Sequence, residues 1–471
     1  LASNPKILIM KRNNIIILTL LTLTISLGAC DKFLERPPQG QLTKEEALKD
    51  EASLVAFTNA LYTLVGDADF MGGRHQVLSE LLGDHYKGDK FTGDYAEIFR
   101  RQNSFFGGTR DAYYNKGYQI INRANVILAN LNLATTQKAA IEAQAKFFRG
   151  LAHFELVRMF AQPFGYSSDN SHAGIPLRTA VELGSTNRAT VKQVYDQVIA
   201  DLKAAEAGLP ATLSTTIYGT ATQLAAKAYL AKVYFQMNNF AEAFNYANQV
   251  ITSNKFQLDA DHSSRFSEGL SKEGILVVVR TPNQYEPGGG LRGNFRSDQG
   301  PPTLNLSDQF YSYATQRAID KRKAWYSNTL QAGLNVLTKY NKPRFELPLV
   351  HLTEIKLIRA EAGAELGGTN LATAIADINE IMTRAYGGTT LNLPTTASGA
   401  LVISAARTER ELEMVGEGNR IQELKRIGAR SGVNVDRRGS QWNCNGLILQ
   451  FPKGEQDANS SFQLNPEGGC F

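Results

Sequence analysis

The side chains able to do chemistry are present in this chain, but few stand in a pattern that commits them to a reaction. Six histidines, at 75, 85, 153, 172, 262 and 351, are scattered along it. HExxH, GxSxG and the Walker A pattern are absent, so zinc hydrolysis, a nucleophile elbow and a phosphate loop have no basis in the sequence. No cofactor and no metal is expected. The segment LDADH groups Asp259, Asp261 and His262 but lacks a closing Glu at calcium-loop spacing, and reads as a polar turn. Glu409, Arg410, Glu413, Glu417 and Arg420 fall about three and four residues apart, the spacing of ion pairs that pin a helix to its neighbours rather than of a catalytic pair.

What remains is recognition chemistry. Sugar capture wants aromatic faces to stack on rings and amide, Arg or Asp groups to hydrogen-bond hydroxyls, and two segments mix these types. Residues 84–106 carry Tyr86, Phe91, Tyr95 and Arg101, and residues 283–298 carry Asn283, Tyr285, Arg292, Phe295 and Arg296. From these we take Tyr86, Tyr95, Arg101, Asn283, Tyr285, Arg292, Phe295 and Arg296 as candidate ligand contacts. Each aromatic also has a plainer reading, as its own loop's packing anchor. Only two tryptophans are present, Trp325 and Trp442, which leaves room for small sugars or peptides. Paired carboxylates of a glycosidase are set by the fold rather than by spacing, so a lipid-anchored glycoside hydrolase stays as a third alternative.

The three cysteines divide into two roles. Lys11 and Arg12 precede an uncharged run from Ile15 to Leu27, too short to span a bilayer, that ends in Leu27, Gly28, Ala29 and Cys30. This resembles a lipobox. Residues 1–29 are therefore expected to be a signal peptide with an upstream extension at 1–9, Cys30 the lipid attachment point, and residues 30–45, with Pro37 and Pro38, an extended leader. Cys444 and Cys470 can pair to staple the C-terminal tail or remain two free thiols. A net charge of +5 over 471 residues, with both signs interspersed, offers no basic face for nucleic acid.

The elements that must position these groups are mainly helical. Apolar residues recur at helical spacing over 111–131 and 140–161, and two helical hairpins are expected at 221–251, turning at Asn238 and Asn239, and at 352–385, broken by Gly367 and Gly368. Small Ala on the contact faces, with Tyr234 and Phe240 around the first turn and Ala243, Tyr246 and Ala247 on the second helix, resembles a tetratricopeptide repeat. Between 256 and 345 the character changes: Ile275 to Val279 reads as a short buried strand, followed by a Gly-rich and aromatic loop. Residues 387–400 read as another loop. The fold class is thus mainly α, a tetratricopeptide-like repeat scaffold with long loop-rich insertions and a few short strands. Residues 46–471 are taken as a single domain, with repeats mainly in 111–255 and 350–430 and the ligand region in 84–106 and 256–345.

Several stretches together resemble the SusD/RagB family: FLERPPQ after the cysteine, AKFFRGLAHFELVRMFAQPFG, GIPL at 174–177, LTEIKLIRAEAGAELG, and TERELEMVGEGNRIQELKRIG, where Glu409, Arg410, Glu413, Glu417, Gly418 and Arg420 keep the family's spacing. The tail LILQFPKGEQDANSSFQLNP is also similar, so the likeness runs from Cys30 to about Pro466. It departs at Ile421 and Gly416, where aromatics are usual, at Gln144 in place of an acid, and in the GGCF ending. The resemblance implies a non-enzymatic lipoprotein on the outer face of the outer membrane. It would capture an oligosaccharide, or in the runner-up reading a peptide, for a SusC-like TonB-dependent transporter.

Overall fold

The computed structural model describes residues 48–470 apart from 105–106, 182–183, 214–218, 270 and 282–284. The signal peptide, Cys30, the leader to residue 45 and Asn283 lie outside the described residues.

The chain enters through α1 (Glu51–Val65), started by a capping box in which Asp50 accepts from the Ser53 backbone at 2.8 Å and Ser53 Oγ accepts from the Asp50 backbone. Glu51 then reaches across to accept from the backbone N–H groups of Thr135, Thr136 and Gln137 at 2.7–2.9 Å. After α2 (Arg74–Leu82), β1 (Tyr86–Lys87) and α3 (Gly93–Phe99) come the long helices α4 (Gly108–Ala129) and α5 (Lys138–Phe160). Every residue of α5 from Phe147 to Phe160 is buried, its charged members taken up in ion pairs, Arg149 with Asp201 and Arg158 with Glu155. A short antiparallel pair, β2 (Ala173–Pro176) with β3 (Arg188–Thr190), leads into α6 (Val191–Gly208), whose start carries a second capping box, Thr190 with Gln193. The first expected hairpin is α7 (Gln223–Gln236) and α8 (Phe240–Ile251), with Asn238 at φ +57° in the turn.

Residues 256–345 hold more regular structure than the sequence suggests. They contain β4 (Gly274–Val278), α9 (Gly289–Phe295), β5 (Asn305–Leu306), α10 (Asp308–Thr315), β6 (Tyr326–Ser327) and β7 (Val336–Leu337), and β8 (Leu347–His351) follows. The fully buried β4 pairs antiparallel with β8. The second hairpin is α11 (Leu352–Leu366) and α12 (Asn370–Tyr386), joined through Gly367 and Gly368 at φ +68° and +57°, where a side chain would be strained. Helices α13 (Gly399–Glu413) and α14 (Arg420–Ser431) follow, and α15 (Lys453–Ala458) precedes the tail.

The helices pack in near-sequential order: α1 on α4, α4 on α5, α5 on α6, α6 on α7, α7 on α8, α8 on α11, and α11 on both α12 and α13. This is the neighbour-to-neighbour logic of a helical repeat stack. Small residues make it close, since Ala225, Ala226, Ala228 and Ala231 of α7 are all fully buried. A core running from Leu48 to Phe462 fills most of the molecule, and a second cluster lies among α11, α12 and α13.

Candidate functional site

The two segments rich in aromatics and polar groups meet on one surface. Backbone contact brings them there: Tyr86 pairs with Leu306 and Lys87 with Asn305, so β1 and β5 tie residues 84–106 to the insertion. The start of α9 also crosses the start of α2 glycine on glycine. A Cβ on Gly73 would lie 2.3 Å from the Gly290 carbonyl carbon, and Leu291 N–H donates to Gly72 O at 3.2 Å. Only two bare backbones can approach so closely.

That crossing sets Tyr95 of α3 beside α9, where its hydroxyl donates to Asn294 Oδ1 at 3.0 Å. Tyr95 is half-buried, and partial burial raises the pKa of its phenol, against the lowering effect of nearby Arg74. Arg74, paired with Asp69, is also half-buried. Half-buried Arg292 lies over the Phe345 ring at 5.2 Å and donates to Pro287 O at 3.1 Å. Arg296 is held in a two-point pair with Asp298 at 2.6 and 2.9 Å, a hydrogen bond that lowers the Asp298 pKa to about 2. Tyr285 bridges back to Thr281 and places its hydroxyl 3.2 Å from Thr63 O. Tyr95, Asn294 and Arg74 thus bring an aromatic ring, an amide and a guanidinium together at this junction, while Arg292 and Arg296 stand one turn apart along α9 and its C-cap.

Three of the candidate contacts do not belong to it. Tyr86 (2% exposed) and Phe295 (0%) pack edge to face at 5.8 Å inside the main core, with Phe295 also against Tyr340. Arg101 (0% exposed) is a buried clamp. It donates to Leu82 O at 3.0 Å, Gly83 O at 2.9 Å, Ser440 Oγ at 2.6 Å and both carboxylate oxygens of Asp436. Residue type alone suggested ligand contact for all three, whereas their apolar or charged bulk is spent on holding the segment in place.

The other sequence features also find their places. Cys444 and Cys470 form a disulfide, and the tail it secures is bonded by Asn103, whose N–H and side-chain amide donate to Gly468 O and Pro466 O. Asp261 caps the turn at Ser263, Asp259 accepts from Ser271 and Lys272, and His262 packs edge-on to Trp325, so LDADH is spent on local structure. Glu409 pairs with Arg322, Glu413 with Arg265, Arg322 and Arg384, Glu417 with Arg265, Lys339 and His351, and Arg420 with Asp84. These carboxylates are buried tie-points between elements, and their arginine partners hold Glu413 well below the usual carboxylate range.

Asp84, His85 and Glu411 bring three possible metal-ligand atoms within 4.8 Å of one another. Arg420 and Arg437 already neutralise the two carboxylates there. Burial opposes charge on His85, but its contacts with Glu411 and Glu80 outweigh that and raise its pKa, so the donor set does not suit a cation.

No pattern in the sequence marks Arg74 or Asn294, which meet Tyr95 beside the glycine crossing. It also left Tyr166 and Trp442 unassigned. Tyr166 is 43% exposed and meets Trp442 edge-on at 6.2 Å, while Trp442 lies against Gly428 of α14, where a Cβ would come within 2.1 Å of it. A shallow groove of about 470 Å³ opens separately between Leu258–Ala260, Lys321 and the end of α12. It is lined by Glu380, Thr383 and Arg384 but by no aromatic ring.

Residues 32–235 match the SusD-like_3 family model, described as starch-binding and associating with the outer membrane, and residues 229–464 match the SusD family model. The chain belongs to the SusD/RagB family. Among SusD-like relatives, protein P2 of Formosa agariphila is 26% identical, the match covering 96% of this chain and 99% of that one, and protein P25 of the same organism is 22% identical over 97% and 98%. Solved SusD structures share the fold. A SusD superfamily protein of Bacteroides thetaiotaomicron superposes with a TM-score of 0.74 at 22% identity, covering 89% of this chain and all of the other. Surface glycan-binding protein A of Bacteroides uniformis gives 0.71 at 20%, covering 88% and 99%. No helix among the described residues is long and apolar enough to cross a membrane.

Proposed function

We propose that this SusD-family chain is a lipid-anchored capture protein of the outer membrane's outer face, rooted through Cys30, that binds an oligosaccharide and delivers it to a SusC-like TonB-dependent transporter. The observation that carries the reading is the junction of Tyr95 with Asn294 beside Arg74. Two segments far apart in sequence are fastened there into one polar and aromatic surface. Such a surface can stack one sugar ring and hydrogen-bond its hydroxyls without a deep pocket. A non-catalytic role fits the carboxylates of residues 409–417, which are buried in ion pairs rather than presented across a cleft. The relatives add support: one matched family model is described as starch-binding, and a structural neighbour is a surface glycan-binding protein.

The test is binding of the soluble form lacking residues 1–30 to arrays of glycans and peptides, followed by calorimetry with Tyr95→Ala. Loss of a stacking ring is expected to weaken glycan affinity by about ten- to a hundredfold, the scale of one to three kcal/mol for such contacts. Selective capture of peptides, turnover of a bound oligomer, or unchanged affinity in Tyr95→Ala would each reject the reading.

A further inference from the structure

Away from that surface, α13 and α14 enclose a small cavity lined by the ionisable side chains of His85, Arg407, Arg410, Glu411, Arg420 and Glu423. Three guanidinium groups and an imidazole therefore face two carboxylates. Both carboxylates are already committed: Glu411 to His85 at 3.0 Å and to Arg437, and Glu423 to Arg426 at 2.9 Å. Arg420 is committed to Asp84 at 2.6 Å and Arg407 to Glu361 at 2.8 Å. Arg410 differs. It is only 4% exposed and lies over the Phe235 ring at 4.6 Å, yet its Nε and Nη2 have no hydrogen-bond partner, the Glu423 carboxylate standing off at 3.7 Å. A buried guanidinium left in this state costs free energy unless something completes it.

The same cavity receives the N-terminus of α14, twelve residues long, whose N-cap Asn419 makes no side-chain hydrogen bond to the first turn. An uncapped helix start carries partial positive charge and unsatisfied N–H donors. The cavity volume is about 30 Å³. One water needs roughly 10–15 Å³ by this measure, so the space suits two or three waters or one small oxyanion. Arg407, at 29% side-chain exposure, is the most exposed of the three lining arginines.

We propose that this cavity is a binding site for a small free oxyanion of phosphate or sulfate type, held by Arg410 and the start of α14, which clasps α13 to α14. The ion completes the guanidinium that, among the three arginines lining the cavity, has open Nε and Nη2 donors, and it caps the helix start beside it that Asn419 leaves uncapped.

The experiment is a titration of the purified mature protein with sodium phosphate and sodium sulfate at fixed ionic strength, followed by thermal melting, with sodium chloride and methyl phosphate as the other arms. A saturable rise in melting temperature with the two free oxyanions, absent with chloride and with the bulkier ester, is the expected result. In Arg410→Gln the apparent affinity falls about tenfold or more, the loss of one charge-assisted contact, while Arg410→Lys keeps part of it. Selenate soaked into wild-type crystals gives an anomalous peak beside Arg410 without relying on any variant's folding. Equal shifts with chloride or methyl phosphate, an unchanged titration in Arg410→Gln, or water alone in the selenate-soaked cavity would each overturn the proposal.

Discussion

Replacing Arg101 by Met separates a structural clamp from a ligand contact. The guanidinium is fully buried and makes five hydrogen bonds, two of them to the carboxylate of Asp436, itself 4% exposed. Removing one partner of a buried pair leaves the other charge poorly compensated, which costs about 3–5 kcal/mol. An unfolding entropy of about 2.1 cal/mol/K per residue over roughly 420 folded residues gives about 0.9 kcal/mol/K, so the loss lowers the melting temperature by about 3–6 °C. Differential scanning calorimetry reads this directly. Arg101→Met/Asp436→Leu, which removes both charges, is expected to recover part of the loss, with a coupling of about 1–3 kcal/mol in the double-mutant cycle. Glycan affinity measured below the transition stays at the wild-type value. An unshifted melting temperature with weakened ligand binding would refute the clamp and restore Arg101 to the ligand surface.

Acid sensitivity follows from buried histidines. Burial lowers His75 and His262 to about 4 and His153 to about 3, from 6.5 when exposed. The folded state holds these rings neutral, so the unfolded chain binds more protons below pH 6.5, and their contribution is present above that value and lost as pH falls towards 4. Chemical denaturation at pH 7 and pH 5 is expected to give lower stability at pH 5, with a smaller difference in His153→Gln; a flat profile would contradict it. Opening the Cys444–Cys470 bridge in Cys444→Ser/Cys470→Ser releases a 26-residue separation, worth about 3.5 kcal/mol on chain-entropy grounds. Proteolysis should then trim the tail selectively, and an equally resistant tail would count against the staple. Gly428→Leu, which drives side-chain atoms into the space of Trp442, is expected to shift the tryptophan emission, with Trp325→Phe as the background that isolates it.

Local pattern made the scaffold legible. The hairpin turning at Asn238 and Asn239 and the one broken at Gly367 and Gly368 appear where helical spacing and turn residues set them. The strand at 274–278 was visible as a run of β-branched residues, but its partner β8 was not, since LPLVH carries a proline and runs straight into a helix. The proposed ligand surface is less legible. Tyr95 and Arg292 stand out by type, but whether a loop aromatic faces solvent or core depends on contacts far away in sequence. Tyr86 meets Leu306, and Arg101 meets Asp436, across distances that no periodicity encodes. Gly73 and Gly290 decide the junction, and a glycine in a sequence does not announce which other glycine it will touch.

The seat of Glu51 has a mechanical consequence. Tension on the residues before 48 enters the molecule at the first turn of α1, where one carboxylate is laced to three successive backbone amides ahead of α5. The helix it would have to drag lies against α4 and α5, and α4 also carries the tail through Tyr114, which touches Phe451 and Glu455. On the proposed anchoring through Cys30, a tug on the chain is therefore borne by the same pair of long helices that holds down its far end. The load passes into α4 and α5, which run over 22 and 23 residues.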